Sequence, residues 1–307
     1  MDRRAFVAGA VGLALAPRAL AKNEPLALAT ADLESHLVVV TLASGQPVTT
    51  IRTEAFPRSI ETVGDVAVVA HSDIGVVSLV HPFAGVHVLR GFGEPRYTAA
   101  HPSGRYAYVT DAARGEVVVV DVVRHAILSR TKVGPLARHI TVSTNGRQLW
   151  VALGSKAEHV AMLGIGNAPY PRDLGNFTPP FLAHDVGFAP DGRHAWVTSG
   201  DRERVAIYDR GRLLRTIDAD WPPQHVTFHG GLAYVTSGWS GTLRVHELGG
   251  RELRRNSVPV GSYNVQYADG RVLTPSLGHG WLSVLDERGD VVWSKRLARS
   301  SHDACVV

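Results

Sequence analysis

From Leu26 to the end of the chain, hydrophobic residues recur in short runs with the alternation of β-strands, and no stretch carries the period of an amphipathic helix. The runs LALATA, VAVVAH, YAYVTD, QLWVAL, HAWVTS, LAYVTS and VLTPS align on Leu28, Val68, Tyr108, Trp150, Trp196, Tyr234 and Leu273, at spacings of 40, 40, 42, 46, 38 and 39. A period of about 41 residues is that of a four-stranded propeller blade. Each run is followed by a β-branched strand (LVVVTL, VVSLV, EVVVVD, HVAML, RVAIYD, TLRVHE, WLSVLD) and then by a weaker third strand. A fourth segment, such as RYTAAHPSGR or HDVGFAPDGR, leads through a tight turn into the next unit. Pro-Ser-Gly, Thr-Asn-Gly and Pro-Asp-Gly in those segments are turn formers, because Gly takes positive φ and Asn or Asp caps its own backbone.

The phase of the repeat predicts the topology. If the segment before each turn is the innermost strand, A, the chain enters the first blade at strand B and ends on an isolated strand A, His302 to Val307. That last strand completes the blade begun by the first and leaves the ring without a free edge. The expectation is an all-β, seven-bladed β-propeller of four-stranded blades, closed by the C-terminal strand pairing with the N-terminal blade. Cys305, the single cysteine, then lies in a paired inner strand as an inert thiol.

The tetrapeptides Tyr108-Val109-Thr110-Asp111, Trp196-Val197-Thr198-Ser199 and Tyr234-Val235-Thr236-Ser237 resemble the YVTN motif. So do the Ala189–Arg193 turn and the aspartates Asp121, Asp209 and Asp286, which end third-position strands. On these residues the chain is similar to the exported seven-bladed YVTN (YncE-like) β-propeller repeat family. The resemblance implies a fold and leaves the activity open. The first, second and seventh repeats depart from it, lacking the aromatic, and Pro275 interrupts the seventh.

Residues 1–21 read as an export signal: a basic Arg3-Arg4 pair, 12 uncharged residues from Ala5 to Ala16, and Ala19-Leu20-Ala21 as a small-x-small cleavage site. The Arg3-Arg4-Ala5-Phe6 placement resembles a twin-arginine translocation signal, which implies a periplasmic or secreted protein that folds before export. Twelve residues are too short to span a bilayer, so no membrane insertion is expected once the signal is removed. Residues 22–307 are then one propeller domain, expected to be monomeric. The whole chain carries a net charge of +4, about +2 without the leader, and this balance excludes an electrostatic footprint for nucleic acid. One cysteine excludes an internal disulfide and a zinc ribbon.

Candidate chemistry follows from the phase. The first residues of the seven A strands share one mouth of the channel: Arg58-Ser59, Arg96-Tyr97, Arg138-His139, His184-Asp185, Gln224-His225, Tyr263-Asn264 and His302-Asp303. The B–C loops add His71, Asp73, Asp111, His159, Asp201, Trp239 and His279 to that face. Three readings follow. These residues border a water-filled channel and solvate its backbone. Or Arg58, Arg96 and Arg138 converge on a carboxylate or phosphate. Or some of His139, His184, His225 and His302 hold a divalent metal ion, with Asp185 or Asp303 as an oxygen ligand. Against the last, opposite blades are separated by the channel. The expected function is an exported binding protein for a small anionic ligand or a protein partner at this mouth. The alternative is a lactonase-like hydrolase or lyase, metal-assisted, with His184 or His225 as general base and an arginine stabilising the oxyanion. No nucleotide fingerprint, nucleophile elbow or zinc-protease motif occurs. The long fourth repeat places NAPYPRDLGNFTPPFLAH in a D–A connection, either as an overhang above the mouth or as an inert loop.

Overall fold

The computed structural model describes residues 24–307 except 223, so the predicted leader lies outside the described residues. Seven antiparallel sheets of four strands form a ring, and within each the chain runs outward from the channel. We number the blades from one to seven and call their strands A (innermost) to D. The A strands are Ser59–Val63, Pro95–Ala100, Ile140–Val142, Ala183–Phe188, Gln224–His229 and Gln266–Ala268 in blades two to seven, and Ala304–Val306 in blade one. The seven-bladed fold and its closure are thus as the repeat predicts. Ala304–Val306 pairs antiparallel with Leu26–Ala31, Cys305 opposite Leu28. Among the described residues no helix is long and apolar enough to cross a membrane.

Burial follows the radial order. Strands B and C are almost wholly buried, whereas D strands such as Arg172–Phe177 and Glu252–Ser257 are mostly exposed. The core consists of the interfaces between blades. The motif aromatics Tyr108, Trp150, Trp196 and Tyr234 each pack between their own blade and the next. Leu28, Val68 and Leu273 take the same place in blades one, two and seven, so the departures from the aromatic change its volume and not its role. Each such side chain removes on the order of 1.5–3 kcal/mol of apolar surface from water. The seam between blades seven and one is reinforced at its outer end, where Trp293 Nε1 donates to the Leu42 carbonyl at 2.9 Å. Gly45 lies under that indole at φ +62°, and a Cβ there would enter the ring.

The fourth repeat departs from its sequence reading. Arg172–Phe177 is the D strand of blade four, paired with Val160–Gly164. The connection carrying Pro169, Tyr170 and Pro171 is therefore a C–D loop on the face opposite the A-strand starts. It leans on blade three, whose Ser129 and Thr131 hydroxyls donate to the Pro169 and Pro171 carbonyls at 2.5 and 3.3 Å. This part is neither a D–A connection nor an overhang of the mouth, whereas residues 178–182 of the same stretch do form the D–A connection to blade five. RDLGNF lacks β-branched alternation and contains Gly175, so pairing with a neighbour, and not propensity, makes it a strand.

Candidate functional site: a plugged channel mouth

Where the repeat motif carries a threonine, its hydroxyl bonds the start of an A strand. Thr198 Oγ1 accepts from the Asp185 amide at 3.0 Å and donates to the Gln224 carbonyl of the next blade at 2.7 Å. Thr110 does the same between Tyr97, at 3.1 Å, and Arg138, at 2.6 Å. Thr30 accepts from the His302 and Asp303 amides at 3.0 and 3.1 Å. In blades three, five and six a single hydroxyl, of Thr110, Thr198 or Thr236, thus reaches the first residues of the next blade's A strand and helps hold the mouth residues at one level.

The side chains at that level meet across the channel. His139, His184 and His225 are buried and present ring nitrogens within 4.8 Å of one another. His184 Nε2 and His225 Nε2 are 3.1 Å apart. The Tyr97 ring lies 4.1 Å from that of His139 and 6.1 Å from that of His302, centroid to centroid. Asn264 donates to His302 Nδ1 at 3.1 Å and to its carbonyl at 2.9 Å. The three histidines come from the successive blades four, five and six, and Tyr97 of blade three reaches across to His225 of blade six, 6.5 Å between ring centroids, so the rings fill the channel at this level. Below the plug it widens into a cavity of ≈ 310 Å³ that runs to the A–B turns at Thr144 and Pro190.

Each histidine has a distinct environment. His184 Nδ1 donates to the Ser155 carbonyl at 2.8 Å, and His225 Nδ1 faces Asp185 Oδ2 at 3.5 Å. Neither ring nitrogen of His139 has a hydrogen-bond partner, although the residue is only 2% exposed. Burial, then the other imidazoles and Arg138, hold His139 and His184 well below the usual histidine range, so both rings are neutral. Burial and Arg58 act the same way on His302, whose Nδ1 is engaged by Asn264. His302 therefore stands apart from the other three candidate metal ligands.

The arginines gather above this plug. Burial, then repulsion from Arg138 and Arg58, lowers the Arg96 guanidinium against the pull of Glu94, whose carboxylate it meets at 2.7 Å. Arg138 stacks over the Tyr97 ring at 5.8 Å. The Nε atoms of Arg96 and Arg138 are buried without a partner. Arg58 faces Asp32, a B–C loop residue that the sequence reading missed, and burial raises the Asp32 carboxyl to about 6.

Other predicted residues have structural duties. Asp185 and Asp303 each accept two backbone amides, one from the following residue and one from the next blade's A strand: Val186 and Val226 at 2.8 and 3.1 Å, Ala304 and Ile60 at 2.9 and 3.0 Å. Both are thus pins between blades, a structural duty beside the oxygen-ligand role expected of them. His71 is fully buried between the Ala55 carbonyl and the Ser78 hydroxyl, each at 2.9 Å. Asp111 holds the Gly93 and Glu94 amides at 2.7 and 2.9 Å. A further channel residue, Glu61, is the lone acid of its inner strand; that contrast was the signal available for it.

No family model matches the chain, and no curated protein matches it. The YVTN resemblance thus has no family match behind it. Solved structures do share the fold. A functionally unknown protein from Desulfotomaculum acetoxidans matches at 14% identity over 92% of this chain and 98% of its own, with a TM-score of 0.77. A 6-phosphogluconolactonase candidate from Bacteroides uniformis matches at 13% identity over 92% and 100%, with a TM-score of 0.74. The dihydro-heme d1 dehydrogenase NirN, in complex with DHE, matches at 15% identity over 92% of this chain and 66% of its own, with a TM-score of 0.64. At these identities the likeness is one of fold: the chain is a β-propeller similar to propellers of differing function.

Proposed function

We propose that this protein is an exported binding protein for a small organic anion, a carboxylate or a phosphate ester, held at the channel mouth by Arg58, Arg96 and Arg138. The observation that carries the reading is the pair of buried, unpartnered Nε donors on Arg96 and Arg138. Three guanidiniums from successive blades repel one another, and the carboxylates nearest them, Glu94 and Asp32, leave those donors unused. A planar anion accepting bidentate bonds answers both deficits. Binding is favoured over the hydrolase or lyase alternative because His184 and His225 spend their ring nitrogens on each other and on Ser155 and Asp185.

The test is calorimetric titration with inorganic phosphate, succinate and citrate. At least one should bind, and Arg138→Ala should weaken it by about 2–5 kcal/mol, a factor of roughly thirty to several thousand. Arg96→Ala should act alike. Affinities within twofold of the parent in both variants, or no binding by any of the three anions, would overturn the assignment.

A further inference from the structure

We infer that His139, His184 and His225 form a three-imidazole site for a first-row transition ion of the zinc or copper type. Three observations meet here. The first is spacing: nitrogens that share one ion at about 2.0–2.1 Å, subtending roughly 95–110°, stand about 3.0–3.4 Å from each other. His184 Nε2 and His225 Nε2, on different blades, are 3.1 Å apart.

The second is protonation. A neutral imidazole carries one N–H. That of His184 is on Nδ1, because the Ser155 carbonyl can only accept. The His225 Nδ1 faces a carboxylate oxygen of Asp185, also an acceptor, and this too directs the N–H to Nδ1. With one N–H on each ring, both Nε2 atoms present lone pairs to one another, an arrangement that repels unless a metal ion or a proton stands between them. Backbone carbonyl and carboxylate partners on the outer nitrogens are the groups that orient metal-bound histidines.

The third is His139. Its ring is buried with two unpartnered nitrogens, and lies 4.5 Å from the His184 ring and 4.8 Å from that of His225, centroid to centroid. Its donor lies within 4.8 Å of the other two, so a shift of roughly 1.5 Å completes a three-coordinate set at bonding distance, with no hydrogen bond broken. The donors are all imidazole, which selects copper and zinc over manganese and rejects magnesium and calcium. The site is distinct from the arginine reading, because it is tested with the ion alone.

The experiment uses the full chain without a histidine tag, stripped by chelation and titrated with Zn²⁺, Cu²⁺, Mn²⁺ and Mg²⁺. One equivalent of Zn²⁺ or Cu²⁺ should bind, with Mn²⁺ weaker and Mg²⁺ absent. His139→Ala and His184→Gln should each lower Zn²⁺ affinity at least hundredfold. His87→Ala, from an exposed histidine cluster on the opposite face, should leave it within twofold. Electron paramagnetic resonance of the Cu²⁺-loaded parent should count three nitrogens, a readout independent of whether the variants fold. Fewer than two coupled nitrogens, or equal Zn²⁺ affinity in the parent and a folded His139→Ala/His184→Gln variant, would overturn the site and leave a proton shared between the two rings as the occupant of the gap.

Discussion

Asp185 and Asp303 stand at the same place in their blades and bind the same kind of amide pair, yet their surroundings differ. Asp303 is fully enclosed, and burial raises its carboxyl well above the usual range, with Glu61 and Asp32 adding to the rise. Glu61 itself is pushed by burial to about 7, from an ordinary 4.5. The sign of the consequence follows from proton counting. Between the unfolded value and about 7 the folded chain holds a proton that the unfolded chain has lost, so stability falls as pH rises through that interval and levels off above it. Glu61→Gln should remove a contribution on the order of 2–3 kcal/mol from this slope. Urea unfolding at pH 4.5 and 7.5 measures it: the variant should lose less stability than the parent between the two. Equal losses would mean that Glu61 ionises as it does in water.

At the scale of the element, the inner strands depend on their neighbours for position. Ala304–Val306 is three residues long, but Cys305 and Ala304 are buried, and Asp303 and His302 bond blades two and seven as well as their own. Deleting His302 to Val307 should cost several kcal/mol, a large share of a typical domain's 5–15 kcal/mol. A truncated chain melting within about 2 °C of the parent would show that the strand contributes little. The starts of such inner strands were legible from the sequence to within two residues in six blades and three in the seventh, because the turn triplets and the run of β-branched residues after them are local signals. Two things were not legible. The D strand of blade four has no pattern of its own and exists by pairing with strand C. The meeting of the histidines of three successive blades depends on the channel's width and on side-chain direction, and neither is written in the spacing of residues about forty apart. Asp185 and Asp303 were legible as residues at the start of an inner strand, but the amides that their oxygens bind belong to the next blade, which the chain order does not bring near.

For the whole molecule, exposed apolar residues occur on both faces of the ring: Phe83, Val123 and Tyr170 in C–D loops, and a larger group on the other face. Leu33, Phe56, Ile74, Leu136, Trp221, Trp239 and Val260 are exposed, and all lie in D–A or B–C loops, on the face of the arginines. A face with a charged centre and an apolar surround suits a protein that passes its ligand to or from another surface. We propose that it does so outside the cytoplasm. Replacing both Arg3 and Arg4 by lysine should then stop export of the folded chain, as followed by fractionation; undiminished export would point to the general secretory route. The plug between the two faces has one more consequence. His139 and His225 border the lower cavity, whereas Arg58, Arg96 and Arg138 do not. A hydrated ion and an organic anion would therefore arrive through separate doors and meet at a common wall, each able to load while the other's entrance is shut. In such a vestibule the order of arrival is free, and blocking one door would slow only one guest.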